Sequence, residues 1–235
     1  MYRHTHDKFN QDVHVLILWP LHAAMEHLKA EASQEDAKLE PHIVGASAEE
    51  HDAIIEQQDL NWQYFPEQER FLQNMALVGL LSHLIHTLRS MARDSEHLAT
   101  RQGKYKGQGE LNQLWTEFTE RFELDFSHLH TQISYLDRLR KVRNQIVHDG
   151  GDAAVLKPFE MRDITKDGTF DMYDTSFAKD FPEFTCGSDY NAQVVVTEEQ
   201  IEQGIDYSLQ IVKWISEQLY PLEVQWLKLR QSKVN

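Results

Sequence analysis

Cysteine is almost missing from this chain, since Cys186 is the only one among 235 residues. A lone thiol excludes an intramolecular disulfide framework and fits a reducing cytoplasm. Cys186 has no adjacent His or Lys and precedes Gly187, so nothing local activates it as a nucleophile. No uninterrupted apolar run approaches the ~20 residues that span a bilayer, and Met1–Asp12 lacks the basic-then-apolar order of a secretory signal. The sequence therefore predicts a cytoplasmic protein with no membrane partner. Positive charge is also scarce. Lys and Arg number 23 against 38 Asp and Glu, for a formal net charge of -15, which argues against coating RNA regardless of sequence because affinity for a phosphate backbone is largely electrostatic. There is no Gly-rich phosphate loop, dinucleotide fingerprint, nucleophile elbow or HExxH pair. His83 with His86, and His128 with His130, offer imidazoles but no evident third ligand. No metal and no cofactor is expected.

What is present describes one helical domain. The hydrophobic share of 41% and a mean hydropathy of -0.56 suit one substantial core with a charged exterior. Val13 to Ala37 carries Leu21, Met25 and Leu28 at helical spacing, with Pro20 as a start or kink, although Val13 to Trp19 also reads as a strand. Residues 39–50 look like a connection, and 49–59 like a weaker helix ahead of Trp62, Tyr64, Phe65 and Pro66. Glu67 to Arg93 has the clearest apolar stripe, through Phe71, Met75, Val78, Ile85 and Leu88. Further helices are predicted over Leu111–Phe122, Ser127–His148 and, from a Thr197/Gln200 capping box, Ile201–Leu219, with Pro221 ending or kinking the last. Between them, 159–164 and 169–174 alternate around Lys166-Asp167-Gly168 as a hairpin would, and Gln193–Val196 reads as a third short strand. The expectation is a mainly all-α bundle over 67–235 with a small β insertion around 157–196 before the last long helix, and an N-terminal helical segment, 1–66, packed on it.

The chemistry concentrates at one helix end. Leu139-Arg140-Lys141-Val142-Arg143-Asn144-Gln145-Ile146-Val147-His148-Asp149-Gly150-Gly151 pairs a guanidinium, whose planar fork grips two phosphate oxygens, with an imidazole that trades protons near neutral pH. Asn144 and His148 are four apart and share a face, but Arg143 and His148 diverge by about 140° around a helix. Three arrangements resolve this: the Arg side chain wraps round, the helix ends near His148, or a second copy completes the pocket. Gly150 and Gly151 favour an ending. Arg140 and Lys141 beside the motif, with Lys104 and Lys106 in the Gly-containing loop 101–109, are the candidate substrate-binding cations, Tyr105 adding a ring on which a base stacks.

Arg143-Asn144 followed by a short run and His148 resembles the signature of the HEPN superfamily, and the resemblance covers roughly Phe71 to Leu219. It implies a helical bundle in which two subunits bring their motifs together across a dimer cleft. It also implies metal-independent cleavage of RNA to 2′,3′-cyclic phosphate ends, with Arg143, Asn144 and His148 as catalytic residues. On that reading the chain is a toxin or phage-defence effector whose partners are RNA, a second copy and an antitoxin or other regulatory protein. The alternative is a non-catalytic dimer that binds RNA or a nucleotide with the same helix.

Overall fold

In the computed structural model, residues 2–43, 46–100, 110–157, 163–164, 170–187 and 191–232 are described. Among the described residues seven α-helices dominate: α1 (Tyr2–Val13), α2 (Trp19–Ile43), α3 (Ala48–Asp94), α4 (Leu111–Phe122), α5 (His130–Asp149), α6 (Ser176–Asp180) and α7 (Glu198–Ser232). The mainly all-α class expected from the sequence is what the chain adopts.

Several expected breaks are absent. The first two helices run on through a π turn, His14–Leu18, in which the Trp19 N–H donates five residues back to the His14 carbonyl. That apolar run is thus helical, not a strand. Pro20 follows at once, and a wide turn beside a proline is a common way to accommodate a ring nitrogen that cannot donate. Residues 39–43, read as connection, extend α2 to Ile43 with Pro41 inside it. The helices expected at 49–59 and 67–93 are one continuous helix, α3, that passes through Pro66, so the expected division at 66/67 falls inside it. Pro66 is exposed. Pro221 likewise stands exposed within α7, which continues to Ser232. Ser47 starts α3 with a reciprocal capping box to Glu50, and this pair of bonds fixes where the chain reverses between α2 and α3.

The core follows the apolar stripes expected of α5 and α7, but on α3 the buried face differs from the expected one, since Phe71 and Met75 are exposed and Val78 and Ile85 only half-buried. Leu77, Leu80, Leu81, Leu84 and Leu88 of α3 are fully buried, as are Leu136, Leu139 and Val142 of α5 and Ile201, Ile211, Val212, Ile215 and Leu219 of α7. Phe9, Val13, Leu21 and Met25 from the N-terminal helices join the same cluster. Gly204 lies where α3, α5 and α7 meet: a Cβ there would stand 2.7 Å from Leu139 Cδ1 and 3.2 Å from Leu80 Cδ2. Only hydrogen lets the three backbones approach so closely. The stretch Tyr64–Asp94 is long and apolar enough by composition to cross a membrane, and its leucines are those that fill this core.

The β insertion is made of three two-stranded antiparallel pairs among the described residues. Strands β2 (Asp163–Ile164) and β3 (Phe170–Asp171) pair as the two arms of the expected hairpin, whose Lys166-Asp167-Gly168 turn lies outside the described residues. The outer part of the second arm, β4 (Tyr173–Asp174), pairs instead with β1 (Val155–Leu156). The expected third strand is β6 (Gln193–Val194), against β5 (Thr185–Cys186).

Candidate functional site

Ahead of the motif helix, the Asp125 carboxylate accepts the Ser127 N–H at 2.9 Å and the Ser127 hydroxyl at 3.0 Å. Those bonds, the backbone one foremost, hold the Asp125 pKa below the usual carboxylate value. A 3₁₀ turn, Ser127–Leu129, leads into α5, so the first three residues of the expected span Ser127–His148 form this turn and the α-helix proper runs His130–Asp149. Leu136, Leu139 and Val142 seat α5 against α3 and α7, and the helix stops at Gly150, in the left-handed region with φ 67°.

Just past the stop, the chain is pinned. Gln145 donates to the Asp152 carbonyl at 2.6 Å, Asp152 donates to Asp149 at 3.1 Å, and Val194 of β6 donates to Gly151 at 2.7 Å. Asn74 of α3 donates to the Val194 carbonyl at 3.4 Å, and its amide nitrogen would be 3.6 Å from a Cβ on Gly151. The β insertion therefore fixes the end of α5 in place. This anchor was invisible in the motif itself, because Asn74 and Val194 are remote in sequence.

Arg143 and Asn144 are brought together: Nη1 of Arg143 donates to Asn144 Oδ1 at 3.0 Å. Arg143 is half-buried, and its Nε is fully covered with no hydrogen-bond partner among the described residues. His148 is exposed in the last turn and makes no hydrogen bond or ion pair among the described residues. Helical geometry keeps it about 140° from Arg143, so one copy of α5 does not by itself close a site around a single atom.

The other cations of α5 are occupied. Arg140 pairs with Glu110 at 2.6 Å and Asp137 at 2.9 Å, and Lys141 approaches Asp137 at 3.6 Å. Arg138 pairs with Glu183, donating through Nε at 3.0 Å, and lies 4.9 Å above the Phe181 ring. Arg143 alone on this helix has no carboxylate partner among the described residues. Lys104 and Lys106, the remaining expected cations, lie outside the described residues.

The structure also holds a concavity to which no sequence motif pointed. A cavity of about 540 Å³ opens between α1 and α3, lined among others by His4, Lys8, Asp12, His83, His86 and Asp94. His83 stacks on Phe9, with ring centroids 5.0 Å apart, and its Nε2 is 3.6 Å from Asp12. Burial pushes the His83 pKa below its ordinary value of 6.5, and Asp12 partly opposes that. The sequence grouped His83 with His86 but gave no spacing rule tying either to α1. On the other side of the bundle, the Tyr135 hydroxyl of α5 donates to the Gln200 carbonyl at 3.1 Å, and burial raises its pKa to about 12.

Comparison of the chain with protein-family models, with curated proteins and with solved structures finds no match.

Proposed function

We propose that the chain is a metal-independent endoribonuclease of HEPN type, with the end of α5 as its working part. The observation that carries this reading is Arg143: a half-buried guanidinium, oriented by Asn144, without a carboxylate to neutralise it among the described residues, in a protein where acids outnumber bases. A guanidinium so placed has its charge available for phosphate. His148, exposed four residues beyond Asn144, is free to move a proton. In the cleavage step one imidazole takes the proton of a ribose 2′-hydroxyl, the 2′-oxygen bonds to phosphorus, and the 5′-oxygen leaves with a proton from a second acid. The products are a 2′,3′-cyclic phosphate and a 5′-hydroxyl. Arg143 stabilises the charge on the pentacoordinate phosphorus. The second acid and the missing reach between Arg143 and His148 are supplied by the same helix end of a second copy, which makes the working form a homodimer.

Purified protein incubated with RNA in EDTA should give cyclic-phosphate ends. Cleavage that appears only after a divalent ion is restored would remove this mechanism.

A second reading is supported by the pairing of Arg138, Arg140 and Lys141 with acids. With those charges spent inside the protein, the same helix end is a binding or regulatory surface for RNA or a nucleotide. Equal RNA affinity without turnover in wild type and His148→Ala favours it. A toxin or phage-defence role, held in check by an antitoxin-like protein, belongs to the same proposal, and its test is whether a protein encoded beside this one binds the chain and stops its cleavage of RNA.

A further inference from the structure

A group of side chains away from the α5 motif has the donor set of a metal site. His22 lies in the first turn of α2, and Glu198 and Glu202 lie one turn apart at the start of α7. His22 Nε2 is 2.6 Å from Glu198 Oε1. One donor atom from each of the three residues lies within 4.8 Å of the other two. Their backbones are held by the core: Leu21 and Met25 flank His22, and Ile201 and Ile205 flank the two glutamates, all buried. Two carboxylates thus face one another across a helical turn, and no Lys or Arg is paired with either among the described residues. The one compensating group is an imidazole, which is itself a ligand when neutral.

We propose that His22, Glu198 and Glu202 bind a divalent first-row transition ion of the Zn²⁺ class, joining α2 to the N-terminus of α7. The imidazole nitrogen with two carboxylate oxygens selects for such ions over Mg²⁺ and Ca²⁺, which favour all-oxygen shells. A shift of side-chain rotamers alone brings donors at this separation to a common centre, because His22 and Glu202 are exposed and free to turn. Remaining positions on the ion go to water. The α7 N-terminus carries the positive end of its helix dipole, which opposes a cation modestly; the two formal negative charges outweigh it. Coordination through Nε2 replaces the contact to Glu198, and any proton held there leaves for solvent. The ion closes a clasp between segments near opposite ends of the chain and stabilises the folded state by mass action.

The test uses the full chain, stripped with EDTA and dialysed, titrated with ZnCl₂ by calorimetry and, in parallel, with CoCl₂ by visible absorption. Wild type should bind one Zn²⁺ per chain at this site, with a rise in melting temperature that Mg²⁺ does not reproduce. His22→Gln and Glu202→Gln should each weaken that binding at least ~10-fold, a loss that removing a mere hydrogen-bond partner of a metal ligand can already cause, and should melt like wild type without metal. RNA cleavage by Glu202→Gln should equal that of wild type, since Glu202 belongs to no part of the α5 end. Absence of Zn²⁺ binding in wild type overturns the proposal. So does Zn²⁺ affinity that is unchanged in both variants, which would place the ion on other histidines.

Discussion

Replacing Gly204 with Ala should test whether α5 is seated by the three-helix contact, and the answer lies in the sign of the effect more than its size. Ala is favoured over Gly inside a helix by ~1 kcal/mol. Against that, the new Cβ would sit 2.7 Å from Leu139 Cδ1 and 3.2 Å from Leu80 Cδ2, and both leucines are fully buried. Neither can swing out to solvent, so relief must come from off-rotamer side chains or a small shift of α5. Overpacking of this kind costs ~1–3 kcal/mol. The net expectation is a loss of about 1 kcal/mol, or ~2–4 °C in a domain of this size. Leu139→Ala alone should cost ~2–5 kcal/mol through the cavity it leaves. In that background the worst clash is gone, and Gly204→Ala should turn from destabilising to stabilising by a few tenths of a kcal/mol to ~1 kcal/mol. Urea denaturation followed by helical circular dichroism of the four proteins measures the cycle. If Gly204→Ala has the same effect in both backgrounds within ~0.5 kcal/mol, the two sites do not interact and the close approach is not what positions α5.

Three further outcomes bear on function and on the fold. His148→Ala should lower RNA cleavage ~10²–10⁴-fold while shifting the thermal midpoint little, because an exposed His in the last turn contributes only ~0.3–1 kcal/mol; Arg143→Lys should be nearly as damaging as Arg143→Ala, since an ammonium lacks the bidentate fork, and rates at wild-type level in either would displace the site. Glu110→Gln combined with Asp137→Asn should free Arg140 and Lys141 and strengthen RNA binding most at low salt; unchanged affinity in a salt titration would show that those cations do not meet RNA. Because burial lowers the His83 pKa, the unfolded chain binds more protons than the folded one below 6.5, so stability should fall as the pH drops under that value and level off once the folded-state pKa is passed; a His83→Gln variant should lose this part of the pH dependence, and equal slopes in both proteins would contradict the burial argument.

The buried faces of α5 and α7 were legible from sequence because burial there follows periodicity: Leu136, Leu139 and Val142, or Ile201, Ile205 and Val212, mark their faces directly, whereas on α3 the buried Leu77, Leu80 and Leu84 lie off the stripe read through Phe71 and Met75, both exposed. The helix ends at proline were not. Pro41, Pro66 and Pro221 each break a local rule, yet each stands at an exposed position inside its helix. For the candidate site, the sequence pointed to Arg143, Asn144 and His148 but not to their surroundings. It could not show that Asp137, Glu110 and Glu183 take up the neighbouring cations, because Glu110 and Glu183 come from other segments. Nor could it show the anchor of Asn74, Gly151 and Val194. Tertiary neighbours decide how much charge a residue has left to offer, and a motif alone is silent on neighbours.

The π turn at His14–Leu18 is, in effect, one residue more than the helix requires. Phe9, Val13 and Ile17 bury on one side of it, and Leu18, Leu21 and Met25 on the other. The extra residue rotates the second set so that both rest on the same core. What the insertion leaves outside is Val15 and Leu16, which are 45% and 64% exposed, an unusual place for side chains with no polar group. The long N-terminal rod is therefore two α-helices joined out of phase. Such a joint tolerates the loss of a residue better than a regular helix would: without one of these two, the turn can close to ordinary α geometry while the buried faces on both sides keep their contacts.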